Sequence, residues 1–227
     1  MDGILLVDKP AGWTSFDVVA KVRGILRQSG IKKPKVGHTG TLDPLATGLL
    51  VLVLGSYTKR AQEFSKLDKT YEVTMKLGQT SSTGDQEGEK TMVSAIKPSQ
   101  TDVEAVLDGF IGESEQIPPQ FSAIKVDGQR AYKLARAGKE VKLEPRTVKI
   151  YEIIGIKYAY PEVKFITKVS SGTYIRSLVE DIGSKLGVGA YMTGLNRTSV
   201  GNFYIKDSLQ IARMQVATVE ENIETID

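Results

Sequence analysis

The stretch VGHTGTLDPLATG at residues 36–48, followed at once by LLVLVLG at 49–55, decides how the rest of the chain is read. Its first part holds three glycines and a proline, so it cannot be regular structure throughout. Its second part is an unbroken apolar run, suited to a strand buried on both faces. A loop crowded with His38, Thr39, Thr41, Asp43 and Thr47, set against such a strand, has the composition of a site. Glycine lets backbone come close to a ligand, and Pro44 fixes the chain just after Asp43. The loop is not a nucleotide cradle: no Lys follows its glycines as the Walker pattern needs, and GxGxxG is absent.

Upstream, GILLV (3–7) reads as a short buried strand and Asp8–Gly12 as a turn. Thr14 or Ser15 can cap a helix reaching about Gln28, with Phe16, Val19, Val22 and Leu26 near helical spacing. Downstream, TYEVTMKL (70–77) alternates, with Tyr71, Val73, Met75 and Leu77 on one face. TSSTGDQEGEK (80–90) is a polar loop, and 101–111 reads as a capped helix. FSAIKV (121–126) reads as a strand entering an Asp127-Gly128 turn. Further strands are expected near 146–158 and 162–169. In YIRSLVEDIGSKLG (174–187), Ile175, Val179, Ile182 and Leu186 share a helical face. Strands and helices alternate without a βαβ rhythm, which predicts an α+β (mixed α/β) domain.

Composition narrows the chemistry. The chain has 227 residues, 41% hydrophobic and 25% charged, which is ordinary for a globular protein. With no cysteine there is no disulfide frame, thiolate metal site or cysteine nucleophile, and His38 as the single histidine excludes a multi-histidine metal centre. No apolar run is long enough to span a bilayer, and the acidic start lacks the basic flank of a signal peptide. A cytoplasmic protein is expected. The net charge is only +3, but it is unevenly spread. Residues 21–69 carry ten Lys/Arg against three Asp/Glu, and 121–157 carry nine against four. Two such blocks suit a polyanion binder, or else simply clothe solvated helices.

GHTGTLDPLATGLL (37–50) strongly resembles the catalytic loop of the TruB family of tRNA pseudouridine synthases. DKPAGWTS (8–15), KTYEVTMKLGQTSSTGDQEG (69–88), QIPPQFSAIKVDGQRAYKLARAGKEV (116–141), SSGTYIRSLVEDIG (170–183) and LNRTSVGNF (195–203) are similar to further motifs of that family, in family order. The resemblance implies the pseudouridine synthase fold, a central mixed, largely antiparallel sheet flanked by helices and loops. It implies isomerisation of the tRNA T-loop uridine conventionally numbered 55, without metal or small-molecule cofactor, by a chain expected to be monomeric and to bind no membrane. Asp43 is then the catalytic carboxylate, with attack on C1′, addition to the uracil ring and proton abstraction from the sugar all open to it. Arg176 is its implied guanidinium partner, against the bland reading of a surface pair with Glu180. Tyr71 is implied to stack on the uracil and serve proton transfer, though its place on an alternating face equally suits a core residue. Tyr174 and Leu195 are implied to line the uracil pocket. His38 is implied to fill the space left by the extruded base. Asp85 is implied as a member of the supporting network.

Two departures from the family pattern stand out. Asn196 occupies the place of the first residue of an Arg-Arg pair, where a phosphate or structural interaction is expected to be missing. Residues 1–208 are expected to form the catalytic domain and 209–227 a short acidic tail, without the usual C-terminal RNA-binding domain. Two other classes compete: a catalytically silent RNA-binding module, which has no need of Asp43, and a nucleoside hydrolase, which would release free uracil. A small-molecule enzyme would leave the basic blocks without a use.

Overall fold

A computed structural model of the chain describes residues 1–120, 122, 125, 126, 128–130, 134 and 143–225. Of the expected FSAIKV strand, Lys125 and Val126 are in a short strand while Phe121, Ala123 and Ile124 lie outside the described residues, as do Lys133, Arg136, Lys139 and Lys142 of the second basic block. The chain forms two compact units, Met1–Glu72 with Leu195–Asp227, and Val73–Gly194.

In the first unit, β1 (Gly3–Lys9) is buried along nearly its whole length. The helix α1 (Ser15–Gln28) follows after a turn. Thr14 is its cap: the Thr14 hydroxyl accepts from the Asp17 N–H at 3.0 Å, and the Asp17 carboxylate accepts from the Thr14 N–H at 2.8 Å. Val18, Val19, Val22, Ile25 and Leu26 are the buried apolar face. Phe16 is not part of it. At 62% exposure it lies on the solvent side of the first turn, with the Arg23 guanidinium 5.9 Å from its ring centre. After β2 (Val36–His38) comes β3 (Thr47–Leu54), buried on both faces as its apolar run requires. Leu50, Leu52 and Leu54 pack with α1, and Leu49, Val51 and Val53 pack with Phe64 of α2 (Ala61–Ser65). β4 (Lys69–Leu77) then leaves this unit after Glu72, alternating buried and open positions as its sequence does.

The second unit continues with β5 (Gln79–Ser81) and β6 (Lys90–Met92), paired antiparallel across the polar loop. It adds α3 (Gln100–Asp108), capped by a Ser99–Asp102 box, then β7 (Gly112–Gln116) and the short pair β8 (Lys125–Val126) and β9 (Gln129–Arg130). Next come β10 (Arg146–Ala159) and β11 (Glu162–Val169), antiparallel to each other, with β7 antiparallel on the other side of β10. The helix α4 (Ile175–Lys185) precedes β12 (Ala190–Val200), which passes back into the first unit at Leu195.

There the chain ends with β13 (Phe203–Tyr204), β14 (Leu209–Gln210), α5 (Val216–Glu221) and β15 (Ile223–Glu224). The strand order β14–β1–β3–β12 mixes parallel pairs, β14 on β1 and β12 on β3, with the long antiparallel pairing of β1 on β3. Residues 209–225 lie against β1 through β14 and β15, and Met214 and Val219 enter the apolar core of α1. The fold is thus α+β on mixed, mostly antiparallel strands. Among the described residues no helix is long and apolar enough to cross a membrane.

Candidate active site

The loop between β2 and β3 is held by backbone groups on both sides of Asp43. The Ser15 hydroxyl, at the start of α1, donates to the Leu42 carbonyl at 3.1 Å and accepts from the Leu42 N–H at 2.8 Å. On the other side the Gly12 N–H donates to the Pro44 carbonyl at 2.8 Å. Lys9, whose side chain is fully buried, gives its ammonium protons to the carbonyls of Trp13 at 2.7 Å, Pro10 at 2.9 Å and Pro44 at 3.4 Å. The carbonyl of Asp43 itself accepts from the Ala46 N–H at 3.0 Å, closing a turn around Pro44. Half-buried Asp43 therefore sits between two pinned neighbours.

Arg197 of β12 clamps the loop's two ends. It is 2% exposed, and its Nε donates to the Leu49 carbonyl at 2.8 Å while Nη2 donates to the Gly40 carbonyl at 3.0 Å. Gly48 lies beneath it with φ of +103°, and a Cβ there would stand 2.4 Å from the Arg197 carbonyl and from Asn196 Oδ1. Asn196 is engaged at both ends of its amide: its Nδ2 donates to Glu72 at 2.9 Å and its Oδ1 accepts from the Thr47 hydroxyl at 3.3 Å. A structural interaction is present at this position despite the missing arginine. Leu195, half-buried, takes the Thr47 hydroxyl on its carbonyl at 3.4 Å. His38 ends β2, half-buried, and Tyr71 is 8% exposed on β4.

Two buried cations, Lys9 and Arg197, hold this loop, and a third, Lys69, is coupled electrostatically to Arg197. Burial pushes the Lys9 ammonium down to about 8; Asp43 attracts its proton and Arg197 repels it. Burial likewise pushes Lys69 down to about 8, with Arg197 adding to the effect. Arginine cannot relieve such strain by losing its proton.

In the second unit, Tyr174 leads into α4. Its N–H donates to Gln116 Oε1 at 2.8 Å and its carbonyl accepts from Gln116 Nε2 at 3.0 Å, a reciprocal clasp that fixes the helix start. Arg176 is 6% exposed, which excludes a surface pair with Glu180. Its Nη1 donates to the Thr83 carbonyl at 3.1 Å and lies 3.8 Å from Asp85 Oδ2. Asp85, 5% exposed, accepts in turn from the Thr83 hydroxyl and the Glu87 N–H. The loop 80–90 is thus polar in sequence but buried at its centre. Glu180 faces Gly84, where a Cβ would stand 2.9 Å from Oε1; burial pushes the Glu180 carboxyl upward, opposed by Arg176 and reinforced by Asp181 and Asp85.

Asp43, His38, Tyr71 and Leu195 therefore belong to one unit, and Tyr174, Arg176 and Asp85 to the other. Sequence reasoning missed Lys9, Ser15, Arg197 and Gln116. The one signal available was a cation at the end of an apolar run, Lys9 after GILLVD, and a second inside the strand LNRTSVG. Among the described residues no group of three or more His, Asp or Glu side chains could hold a metal ion.

Known proteins define the class. Residues 26–175 match the family model of the TruB family pseudouridylate synthase N-terminal domain, and residues 176–225 match that of the tRNA pseudouridylate synthase B C-terminal domain. The chain belongs to the TruB family of pseudouridylate synthases. Among individual relatives, it is 44% identical to tRNA pseudouridine synthase B of Pseudomonas fluorescens over all of its own length and 73% of that protein's. It is 46% identical to tRNA pseudouridine synthase B of Phocaeicola vulgatus, over 98% of this chain and 96% of that one. Of solved structures, a chain of a Cbf5-Nop10-Gar1 complex superimposes with a TM-score of 0.71 at 32% identity, covering 92% of this chain. A chain of an H/ACA ribonucleoprotein bound to a substrate RNA gives 0.68 at 29% identity. This chain spans about half the length of each of those two.

Proposed function

We infer that the protein isomerises the T-loop uridine of tRNA, position 55, to pseudouridine. The N1–C1′ bond breaks, the uracil turns while held, C5 bonds to C1′, and the C5 hydrogen leaves to water while N1 gains a proton. No electrons are exchanged and no cofactor is called for. Asp43 is the catalytic carboxylate, Tyr71 the residue stacked on uracil, and Arg176 the guanidinium serving the aspartate. His38 takes the place of the extruded base, and Tyr174 and Leu195 line the uracil pocket. Residues 1–208 act as the catalytic domain of a monomeric, cytoplasmic enzyme that meets tRNA through its T arm.

The observation that carries this reading is the immobilised Asp43. Both neighbours of one carboxylate are pinned through Ser15, Gly12 and Lys9, and the loop ends are clamped by Arg197. An RNA-binding module needs no such rigidity at a single carboxylate, whereas a reaction at one carbon does. The test is a T-arm stem-loop RNA tritiated at uridine C5, with wild type beside Asp43→Asn. Tritium release by wild type alone, with pseudouridine in the product, is expected. Free uracil in the product would assign a hydrolase, and release that survives in Asp43→Asn would remove Asp43 from the chemistry.

A further inference from the structure

On the first unit, the loop joining α1 to β2 and the exposed side of α1 enclose an open cleft of about 540 Å³. Its lining includes Arg23, Arg27, Lys32, Lys33, Lys35 and Thr58, and no acidic residue. Arg27, Lys32, Lys33 and Lys35 are exposed, and among the described residues none has a carboxylate within 4.0 Å. Arg23 is different. Its Nη2 donates to the Val36 carbonyl at 2.6 Å, tying α1 to β2 and setting the cleft's shape, while its buried Nε has no partner among the described residues. Five cations around one cleft repel one another, and among the described residues no carboxylate is within 4.0 Å of the four exposed ones to offset that. Such a cluster is stabilised by an anion with several charges.

The cleft also lies close to the loop that bears Asp43. Val36 and Gly37 line it, and β2 runs directly from there to His38. At about 3.3 Å per residue, Lys35 and His38 stand roughly 10 Å apart along the strand. One phosphate per about 3.4 Å of duplex axis on each strand means that a reach of roughly 10 Å covers at most a few nucleotides. Lysines on flexible stems beside arginines of one helical face suit backbone phosphates, which carry charge without sequence.

We propose that the Arg27, Lys32, Lys33 and Lys35 cleft binds backbone phosphates of the substrate RNA a few nucleotides away from the reacting uridine. This rests on the proposed function for the identity of the strand. The test compares wild type, the variant Arg27→Gln/Lys32→Gln/Lys33→Gln/Lys35→Gln, and a control with the same charge loss elsewhere, Lys97→Gln/Lys157→Gln/Lys185→Gln/Lys206→Gln. Arg23 is left in place because it ties two elements together. Binding of a fluorescent T-arm RNA is measured between 50 and 200 mM salt, with thermal melts to confirm folding. The cleft variant is expected to bind at least about tenfold more weakly near 0.1 M salt. Its slope of log K against log salt should be shallower by about 0.7–0.9 for each phosphate that is no longer neutralised. The control should keep the wild-type slope. A cleft variant with wild-type affinity and slope, or a control that loses as much, overturns the proposal. If wild type binds in the expected way but releases no tritium from the same RNA, the cleft stands as an RNA site and the proposed function falls.

Discussion

Replacing Arg197 by methionine removes a guanidinium and keeps much of the volume of a side chain that is 2% exposed. Two hydrogen bonds disappear, from Nε to the Leu49 carbonyl and from Nη2 to the Gly40 carbonyl, both donated by a charged group. Such bonds contribute about 1.5–3 kcal/mol each, so the gross loss is about 3–6 kcal/mol. Against this, the variant no longer buries a cation near Lys9 and Lys69, whose protons Arg197 repels. Removing a buried charge returns part of its desolvation cost, so the net loss is about 2–4 kcal/mol. Urea denaturation reads it as a shift in midpoint at constant slope. The two carbonyls flank Asp43, so the same change frees the loop that carries it. A displacement of about 1 Å at a reacting group costs on the order of a hundredfold in rate. Tritium release at saturating RNA is therefore expected to fall about 10- to 100-fold. Arg197→Lys keeps the charge but cannot fork to both carbonyls, and should lie between methionine and wild type. An Arg197→Met protein within about 0.5 kcal/mol of wild type and within twofold in rate would refute the clamp.

Gly48→Ala should destabilise by more than about 3 kcal/mol in the same urea assay, because a Cβ would stand 2.4 Å from two oxygens at a φ of +103°. Gly12→Ala, at φ of +81° with nothing within 4 Å, should cost only about 1–2 kcal/mol; equal losses would show that backbone conformation, not crowding, governs the site. Glu180 has its folded pKa raised, so the folded chain holds a proton that the unfolded chain sheds first, and stability falls as pH rises through and above the ordinary carboxyl value of 4.5. Glu180→Gln should therefore gain in melting temperature relative to wild type between pH 4 and 7, and a constant difference would contradict the burial argument. Lys69 has its folded pKa lowered from 10.5 to about 8, so between those values the unfolded chain binds the extra proton and stability rises with pH. The stability of wild type relative to Lys69→Met should grow across that window, and a flat difference would mean that the ammonium is solvated.

The strands were legible because apolar runs and alternation are local. β3 and β4 follow directly from LLVLVL and TYEVTMKL, and α1 from a cap followed by a helical pattern. Phe16 shows where spacing misleads: near the helix start, one aromatic can satisfy i+3 periodicity and still face solvent, and here Arg23 covers its ring instead. Asp43 was legible because glycines and a proline mark an irregular segment crowded with polar side chains, of which it is the one carboxylate. Its supports were not. Lys9 is 34 residues before Asp43 and Arg197 is 154 after it, and both act on backbone carbonyls, which leave no trace in side-chain patterns. Asp85 read as part of a polar loop because its neighbours Ser82, Gln86 and Glu87 are polar, while its own carboxylate turns inward to Thr83 and Arg176.

That pattern of support has a chemical reason. The first unit holds the backbone on both sides of Asp43 through its carbonyls, using donors that carry positive charge. Lysine and arginine then do two things at once. They satisfy backbone acceptors, and they place positive charge beside Asp43. The Asp43 carboxylate favours the charged form of the Lys9 ammonium, against the effect of burial. Lys9→Gln and Arg197→Gln are therefore expected to lose both the positive charge and part of the set of carbonyl bonds, three at Lys9 and two at Arg197, which urea denaturation would read as a lower midpoint.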